Sequence, residues 1–406
     1  MAGRNEHRRY SAAVHPDAKS PTKLASRLWL ACFVATAFAA VACSARNQQE
    51  TTGSACEVGG LNQCGVCWPA LSNLGTTCVA TNGCAGTTVC STDGKTSTCE
   101  TSSVANACGV CDGPPVSGVN IPCTTTAGDT GFSVCNDAGD GTVCAKTVIT
   151  MTFDDTFSDT LLAAPLLEAH GFRATFYVNS PRFGLDAKYM TLAQVLDLQS
   201  RGHEIGGHTL DHPHLPTLAV NVQKIEICND RAVLLSNGLD VRHFAYPFGE
   251  ANADTEAAAQ FCNYLSARGV GNLSDNGKSI HAENYVPPDL FKIRADSSIT
   301  DVQTLADMQA RVLAGEAVGG WVIINMHHVC DTCGSTEVGV EVLTGFLDWL
   351  QPHIAGTTTY VRKIRQMIAG DSRPPVLVSG SVILVDAGDS TTESFHTSTS
   401  DPEWNE

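Results

Sequence analysis

The chain has 406 residues and a formal net charge of −17. The length limits the number of folded units to be expected, and the charge limits the kinds of partner. A chain of this length exceeds what one hydrophobic core usually organises, so we expect two or more folded units. The negative charge repels phosphate polymers, and the main body contains no cluster of lysines and arginines. The composition therefore argues against nucleic acid as a partner.

The first 42 residues have the features of an export signal. Basic side chains precede fifteen uncharged residues, 28–42, which end in small side chains just before Cys43. This apolar run is shorter than the about 20 residues that a membrane-spanning helix needs. We therefore expect residues 1–42 to be a signal peptide and the chain to be exported.

Residues 40–43 read Ala-Val-Ala-Cys, which resembles the lipobox of bacterial lipoproteins. The resemblance implies a lipid at Cys43 and hence an anchor in the membrane at the cell envelope. The alternative is ordinary signal cleavage, after which the protein is secreted. The polar residues 43–55 that follow are predicted to be a linker.

Twelve of the 18 cysteines lie between Cys56 and Cys144, a density that indicates disulfide stapling in an exported chain. The segment also repeats, because residues 62–67 recur as residues 106–111 and the later cysteines keep their spacings, which gives two units of about 45 residues. A zinc site is the alternative for the paired cysteines, but the two pairs lie 44 residues apart. We therefore predict a disulfide-rich, loop-rich module at 56–144, either a spacer or a sugar-binding unit.

Strand and helix patterns alternate from residue 147 to residue 368. Repeated βα units favour a mostly parallel sheet that closes, or nearly closes, into a (β/α) barrel. The predicted strands are 147–153, 174–178, 204–207, 243–246 and 321–326, and the predicted helices are 161–170, 192–201, 220–236, 255–265, 302–314 and 340–350. Residues 369–406 are acidic and rich in Ser and Thr, which predicts a tail with one candidate edge strand at 376–385 and disorder at 390–406.

Two adjacent carboxylates, Asp154 and Asp155, directly follow the first predicted strand of this domain. Parallel α/β folds present their active groups at that end of the strands. Two carboxylates there can divide the work, one binding a metal and the other acting as a base. A pair of solvated turn residues is the alternative interpretation.

Two histidines, His208 and His212, follow another predicted strand and lie four residues apart. Either a single helical turn or a tight loop brings both imidazoles to one side, and we expect a turn. With one carboxylate they complete a zinc-type ligand set that leaves a position open for water. His203 and His214 are the nearby alternatives.

The runs Thr-Phe-Asp-Asp at 152–155 and His-Thr-x-x-His at 208–212 resemble the first two motifs of the NodB-homology polysaccharide deacetylases, carbohydrate esterase family 4. The resemblance implies a distorted (β/α) barrel that hydrolyses acetamide groups on an N-acetylglucosamine-type polysaccharide. It implies one divalent metal, which we expect to be Zn²⁺. Carried onto this sequence, it makes Asp154 the general base and Asp155, His208 and His212 the metal ligands.

The family's third motif appears here at residues 244–249. The resemblance assigns the backbone N–H of Phe248 to the oxyanion beside the metal. Ala245 stands where the family has an arginine that orients the base. We predict Arg294 as the substitute, with Asp296 holding the catalytic acid, and a structural salt bridge is the alternative for that pair.

The family's fifth motif matches residues 321–328, an apolar strand that ends in two histidines. One of them is expected to protonate the leaving amine. Strand alternation sends only one of the two inward, and we predict His327 rather than His328. Asn325 falls where the family has an apolar residue against the acetyl methyl group.

The four cysteines of the barrel domain are predicted to form two disulfides, Cys228–Cys262 and Cys330–Cys333, because an exported chain meets an oxidising compartment. Two other functions remain open from the sequence. One is an O-acetyl polysaccharide esterase that uses the same site. The other is a non-catalytic envelope glycan-binding protein on a deacetylase fold.

Overall fold

The computed structural model describes residues 74–75, 77–80, 84–90, 97–271, 273–275, 278–368, 370 and 373–378. The predicted signal peptide, Cys43, the linker and most of the predicted tail lie outside these residues. Every described residue belongs to one compact unit that begins at Cys56. None of the described helices is both long and apolar enough to cross a membrane.

Each cysteine-rich repeat contributes a three-stranded antiparallel sheet with its strands in chain order. The first sheet comprises β1 (Thr77–Val79), β2 (Ala85–Cys90) and β3 (Ser97–Glu100), and the second comprises β4 (Pro122–Thr124), β5 (Thr130–Cys135) and β6 (Thr142–Ala145). Cys108–Cys135 and Cys123–Cys144 staple the second repeat, and Cys84–Cys111 ties the two repeats together. Disulfides therefore provide much of the stability that an apolar core provides in a larger domain.

A parallel sheet of seven strands follows the module directly. The strands after the module are β7 (Thr147–Phe153), β8 (Thr175–Val178), β9 (Glu204–Gly207), β10 (His243–Ala245), β11 (Ser266–Arg268), β12 (Ser274–Asp275), β13 (Lys278–Ser279), β14 (Gly320–Met326), β15 (His328–Val329), β16 (Glu337–Val338) and β17 (Thr359–Val361). The order of the strands in the parallel sheet is β11-β10-β9-β8-β7-β14, and β17 pairs with the start of β7. All seven residues of β7 are buried, as expected for a strand covered on both faces.

An irregular segment, residues 293–299, fills the gap between β11 and β14. The Ile293 N–H donates to the Ala267 carbonyl at 3.1 Å on one side, and the Ile299 N–H donates to the Asn325 carbonyl at 2.8 Å on the other. The sheet thus nearly closes, but through a segment without regular strand pairing. The prediction of a distorted (β/α) barrel is confirmed.

Helices cover the outside of the barrel. They are α1 (Ala163–Ala169), α2 (Leu192–Ser200), α3 (Val220–Lys224), α4 (Asp230–Ser236), α5 (Ala253–Phe261), α6 (Leu305–Val318), α7 (Val340–Ile354) and α8 (Ile364–Met367). A single π-helical turn, Ile225–Asn229, joins α3 to α4, so the helix predicted at 220–236 is continuous but irregular at its centre. The short strands β11 and β17 were missed because three residues carry too little periodic signal.

The edge strand predicted at 376–385 does not form over residues 376–378, the part that the structure describes. There Val376 and Val378 pack against the main hydrophobic core of the domain. The Val378 N–H donates to Asn229 Oδ1 at 3.2 Å. The segment therefore crosses the helices rather than extending the sheet.

The second cysteine-rich repeat packs directly against the barrel. Val134 of β5 belongs to the same buried cluster as Ile364 and Met367 of α8. The Arg362 guanidinium donates to the Cys135 carbonyl at 2.6 Å, and the Asn120 amide donates to the Met367 carbonyl at 2.7 Å. The repeat and the barrel therefore share a core in this region.

Candidate active site

Asp154 and Asp155 leave the end of β7 and line one cavity of about 290 Å³. The backbone there is unusual, since Asp155 and Thr156 have φ values of 77° and 66°. Non-glycine residues in this left-handed region cost on the order of 1 kcal/mol or more each, and such residues cluster at functional sites. The sharp turn lets two neighbouring carboxylates face the same space.

The side chains of Asp155, His208 and His212 come together in this cavity. The Nε2 atoms of His212 and His208 lie 3.2 Å and 3.4 Å from Asp155 Oδ1. One ligand atom from each residue lies within 4.8 Å of the others. The Ala245 carbonyl lies 2.8 Å from His208 Nδ1 and can accept its hydrogen, which leaves Nε2 to face Asp155. Two imidazole nitrogens and one carboxylate fit a divalent metal.

Residues 208–212 form a tight loop, one of the two alternatives considered, rather than a single helical turn. Thr209 and His212 have φ values of 71° and 56°, which a right-handed helical turn does not allow. The loop nevertheless brings both imidazoles to the same side. The assignment of these residues as metal ligands stays a prediction.

The charges around this group favour the forms that bind a metal. Burial acts to raise the pKa of Asp155, but His212, His208 and Arg182 outweigh it and hold this pKa well below its ordinary value. Burial lowers the pKa of His212 to about 3, against the opposing effect of Asp155. A metal needs an ionised carboxylate and a neutral imidazole, and the directions of these two pKa shifts favour those forms.

Asp154 pairs with an arginine that sequence reasoning missed. Nη2 of Arg268, at the end of β11, lies 2.6 Å and 2.9 Å from the two carboxylate oxygens of Asp154. Both side chains are almost fully buried, at 1% and 4% exposure. The guanidinium also lies over the ring of Tyr177, 4.8 Å from its centroid. Its place at the end of a parallel strand was the signal, but Ser-Ala-Arg has no apolar run to mark that strand.

Our prediction that Arg294 serves Asp154 is therefore wrong. Its Nε and Nη2 atoms lie 2.8 Å and 2.6 Å from the carboxylate of Glu283, which is buried. Asp296 was predicted to hold the catalytic acid, but Nδ1 of His327 has no hydrogen-bond partner among the described residues, and the Asp296 carboxylate lies 3.5 Å from Arg311 Nε instead. Both residues belong to the segments that close the barrel, where they stabilise the loops.

His327 and His328 face different neighbours. His327 Nε2 lies 3.8 Å from Asp155 Oδ2, and its Nδ1 is buried without a hydrogen-bond partner among the described residues. His328 Nδ1 lies 2.6 Å from Asp159 Oδ2, and its ring stacks on Phe157 with centroids 3.7 Å apart. The geometry agrees with His327 as the acid, a role that stays a prediction.

Both disulfides predicted for the barrel domain are formed, Cys228–Cys262 and Cys330–Cys333. The second lies beside Asp159 and His328, and these four residues are close enough together to resemble a metal site. The disulfide removes the two thiolates that such a site needs. Among the described residues, Asp155, His208 and His212 are thus the better metal group.

Phe248 lies in a short 3₁₀ turn after β10, and Asn325 lies near the end of β14. Phe248 has a φ of 56°, and its ring lies edge-on to the His212 imidazole with centroids 4.5 Å apart. Its backbone is therefore held near the metal group, and its role toward the oxyanion stays a prediction. Asn325 Oδ1 accepts hydrogen bonds from Thr152 Oγ1 at 2.8 Å and Arg268 Nη2 at 3.2 Å. Asn325 thus supports the Asp154 partner.

Parts of the chain are similar to known polysaccharide deacetylases. Residues 142–267 match the family model described as polysaccharide deacetylase. A chitin deacetylase of Pestalotiopsis sp is 38% identical over 69 residues, which are 17% of this chain and 22% of that protein. A protein named "Probable peptidoglycan-N-acetylglucosamine deacetylase", of Arthroderma benhamiae, is 31% identical over 109 residues, which are 25% of this chain and 24% of that protein.

The chain thus spans less than a quarter of the length of either curated relative. A solved structure of a family 4 carbohydrate esterase from Streptomyces lividans aligns at 17% identity with a TM-score of 0.35, over 57% of this chain and 100% of that chain. The family match covers β7 to β11, which carry both motifs and the metal group. The chain therefore contains a polysaccharide deacetylase domain of the NodB-homology family, carbohydrate esterase family 4.

Proposed function

We propose that residues 147–368 catalyse the metal-dependent hydrolysis of acetamide groups on an N-acetylglucosamine-type polysaccharide, with release of acetate. The observation that carries this proposal is one cavity that holds a metal-type group, Asp155, His208 and His212, beside a buried carboxylate–arginine pair. Relatives named as chitin and peptidoglycan-N-acetylglucosamine deacetylases support an N-acetylated substrate.

A divalent metal, most suitably Zn²⁺ for two imidazoles and a carboxylate, would be held by Asp155, His208 and His212 and would stabilise the negative charge that develops on the acetyl oxygen. The carboxylate of Asp154, fixed by Arg268, accepts a proton from the attacking water. His327 donates a proton to the nitrogen as the C–N bond breaks. The products are acetate and a free amine on the sugar.

The backbone N–H of Phe248 is proposed to donate to the same acetyl oxygen as it becomes an oxyanion. Removing one such donor typically costs about 10²–10³-fold in turnover. Hydrolysis of O-acetyl esters would use the same groups. A non-catalytic glycan-binding protein is disfavoured, because Arg268 contacts Asp154 and so replaces the family's arginine that is missing at Ala245. Acetate release from a panel of N-acetylated and O-acetylated glycans, with and without a chelator, tests the proposal.

Replacing His208 with Ala should remove both bound zinc and acetate release, because a set of two ligands holds the metal much more weakly than three. Zinc per folded protein, measured by elemental analysis after dialysis, checks this. His170→Ala is the matched control, since His170 contacts Asp348 on the outside of the barrel. Stoichiometric zinc in the His208 variant would contradict the ligand assignment.

We also propose that the protein is exported and anchored at the cell envelope through a lipid on Cys43, with the module at 56–144 as a spacer between the membrane and the enzyme. Replacing Cys43 with Ser should move the protein from the membrane fraction to the soluble fraction. Cys32→Ser is the control, because Cys32 lies within the apolar run of the signal. An unchanged distribution of the Cys43 variant would count against lipidation.

A further inference from the structure

The loop of residues 208–212, which carries both histidines, has a backbone that needs support. Thr209 and His212 are left-handed at φ values of 71° and 56°. Such residues cost of order 1–3 kcal/mol each and persist only where the surroundings over-determine them. The contacts that hold this loop therefore decide whether the two imidazoles stay in place.

The first support is Asp230, whose side chain is fully buried. Its Oδ1 accepts a hydrogen bond from the Ser180 N–H at 2.8 Å, and its Oδ2 accepts one from the His208 N–H at 3.4 Å. The residue before His208 is Gly207, and there is no room for a side chain there. A Cβ on Gly207 would lie 1.9 Å from Tyr264 Oη and 3.3 Å from Asp230 Oδ2. Asp230 thus holds the start of the loop by its backbone.

The second support is Glu226, which is 7% exposed. Its Oε2 accepts a hydrogen bond from the Asp211 N–H at 3.0 Å. Its backbone carbonyl accepts one from the Leu210 N–H at 3.2 Å. Glu226 therefore holds the second half of the loop, between the two histidines, just as Asp230 holds the first half.

Glu226 lies in the π-helical turn Ile225–Asn229 between α3 and α4, and Asp230 directly follows this turn as the first residue of α4. Turns of this kind are rare and are frequently found at functional sites. The turn is fixed from the other side by the Cys228–Cys262 disulfide and by the hydrogen bond from Val378 to Asn229. The turn therefore holds Glu226 and Asp230 in fixed positions beside the loop of residues 208–212.

Buried carboxylates are expensive unless they accept hydrogen bonds, and here the loop supplies the donors. We propose that Glu226 and Asp230 are positioning residues that fix His208 and His212 for metal binding. This inference rests on the proposed function, because it takes those histidines as metal ligands. It adds that metal affinity depends on two residues that do not touch the metal.

The test variants change the number of hydrogen-bond acceptors that each side chain offers to the loop and its neighbours. Asp230→Asn keeps only one acceptor where two are used, so zinc affinity should fall by about 10–100-fold, the usual cost of losing such a partner. Glu226→Ala should weaken zinc binding in the same way. Glu226→Gln keeps the single oxygen that Asp211 needs and should restore most of the affinity.

Zinc affinity is measured on the full chain by competition with a chromophoric chelator, and thermal unfolding of the metal-free protein reports stability. Asp240→Asn is the matched control, because Asp240 is buried but pairs with Arg242, away from the loop. It should lower stability without changing zinc affinity. If Asp230→Asn and Glu226→Ala both bind zinc as tightly as this control, the positioning role is overturned.

The same experiment separates this inference from the function on which it rests. If the unaltered chain binds no zinc, the proposed metal site fails, and the inference fails with it. If the unaltered chain binds zinc and Glu226→Gln binds it no better than Glu226→Ala, the metal site stands and the role of Glu226 is overturned. Weak binding by Asp230→Asn with rescue by Glu226→Gln supports both residues.

Discussion

Replacing Asp154 with Asn should lower the rate of acetate release by about 10²–10⁴-fold, the usual contribution of a general base, while bound zinc stays at its original level. An amide cannot accept the proton of the attacking water. The residue lies outside the metal group, since its carboxylate faces Arg268 at 2.6 Å and 2.9 Å. Turnover and zinc content measured on the same preparation check this.

Asp155→Asn is the matched control for this experiment, because the neighbouring carboxylate is the one proposed to bind the metal. It should lose zinc and turnover together. The assignment of the base is wrong if Asp154→Asn also loses zinc, or if it keeps more than about a tenth of the original rate, well above what loss of a general base allows.

Replacing Arg268 with Met should lower the rate of acetate release by about 10²-fold. The guanidinium contacts both carboxylate oxygens of Asp154, the proposed base, and misplacing a reacting group by about 1 Å can have this cost. The free energy of unfolding should also fall by about 3–5 kcal/mol, because the change leaves a buried carboxylate without its partner. The rate of acetate release and denaturant unfolding measure the two effects.

Two further variants make this result specific. Arg268→Lys keeps a hydrogen-bond donor near Asp154 and should lose less of the rate. Arg294→Ala should keep the rate, because that guanidinium binds Glu283 and not the base. An unchanged rate in the Met variant would mean that Arg268 only supports the fold.

Much of the site could be predicted from sequence because its residues sit at strand ends. Asp154 and Asp155 follow β7, His208 follows β9, and His327 follows β14. In a parallel barrel the carboxyl ends of all strands meet at one face. A motif that follows a strand pattern is thereby assigned to that face, whatever the details of the packing.

The alternation of strand and helix patterns likewise predicted the barrel, since repeated βα units have few ways to bury their apolar faces. The cysteine density predicted stapling of the module for a similar reason, because its sequence lacks the apolar residues for a core of its own. These properties are local, and local patterns are sufficient to specify them.

Only the tertiary structure decided which arginine serves the base. Arg268 ends β11, whereas Arg294 belongs to the segment 293–299 that fills the neighbouring gap, and its guanidinium binds Glu283. The conformation of the loop at 208–212 and its hydrogen bonds to Glu226 and Asp230 could not be predicted from the sequence either. Such pairings join residues that are distant in the chain and depend on how the sheet closes, which many weak contacts determine together and no short pattern encodes.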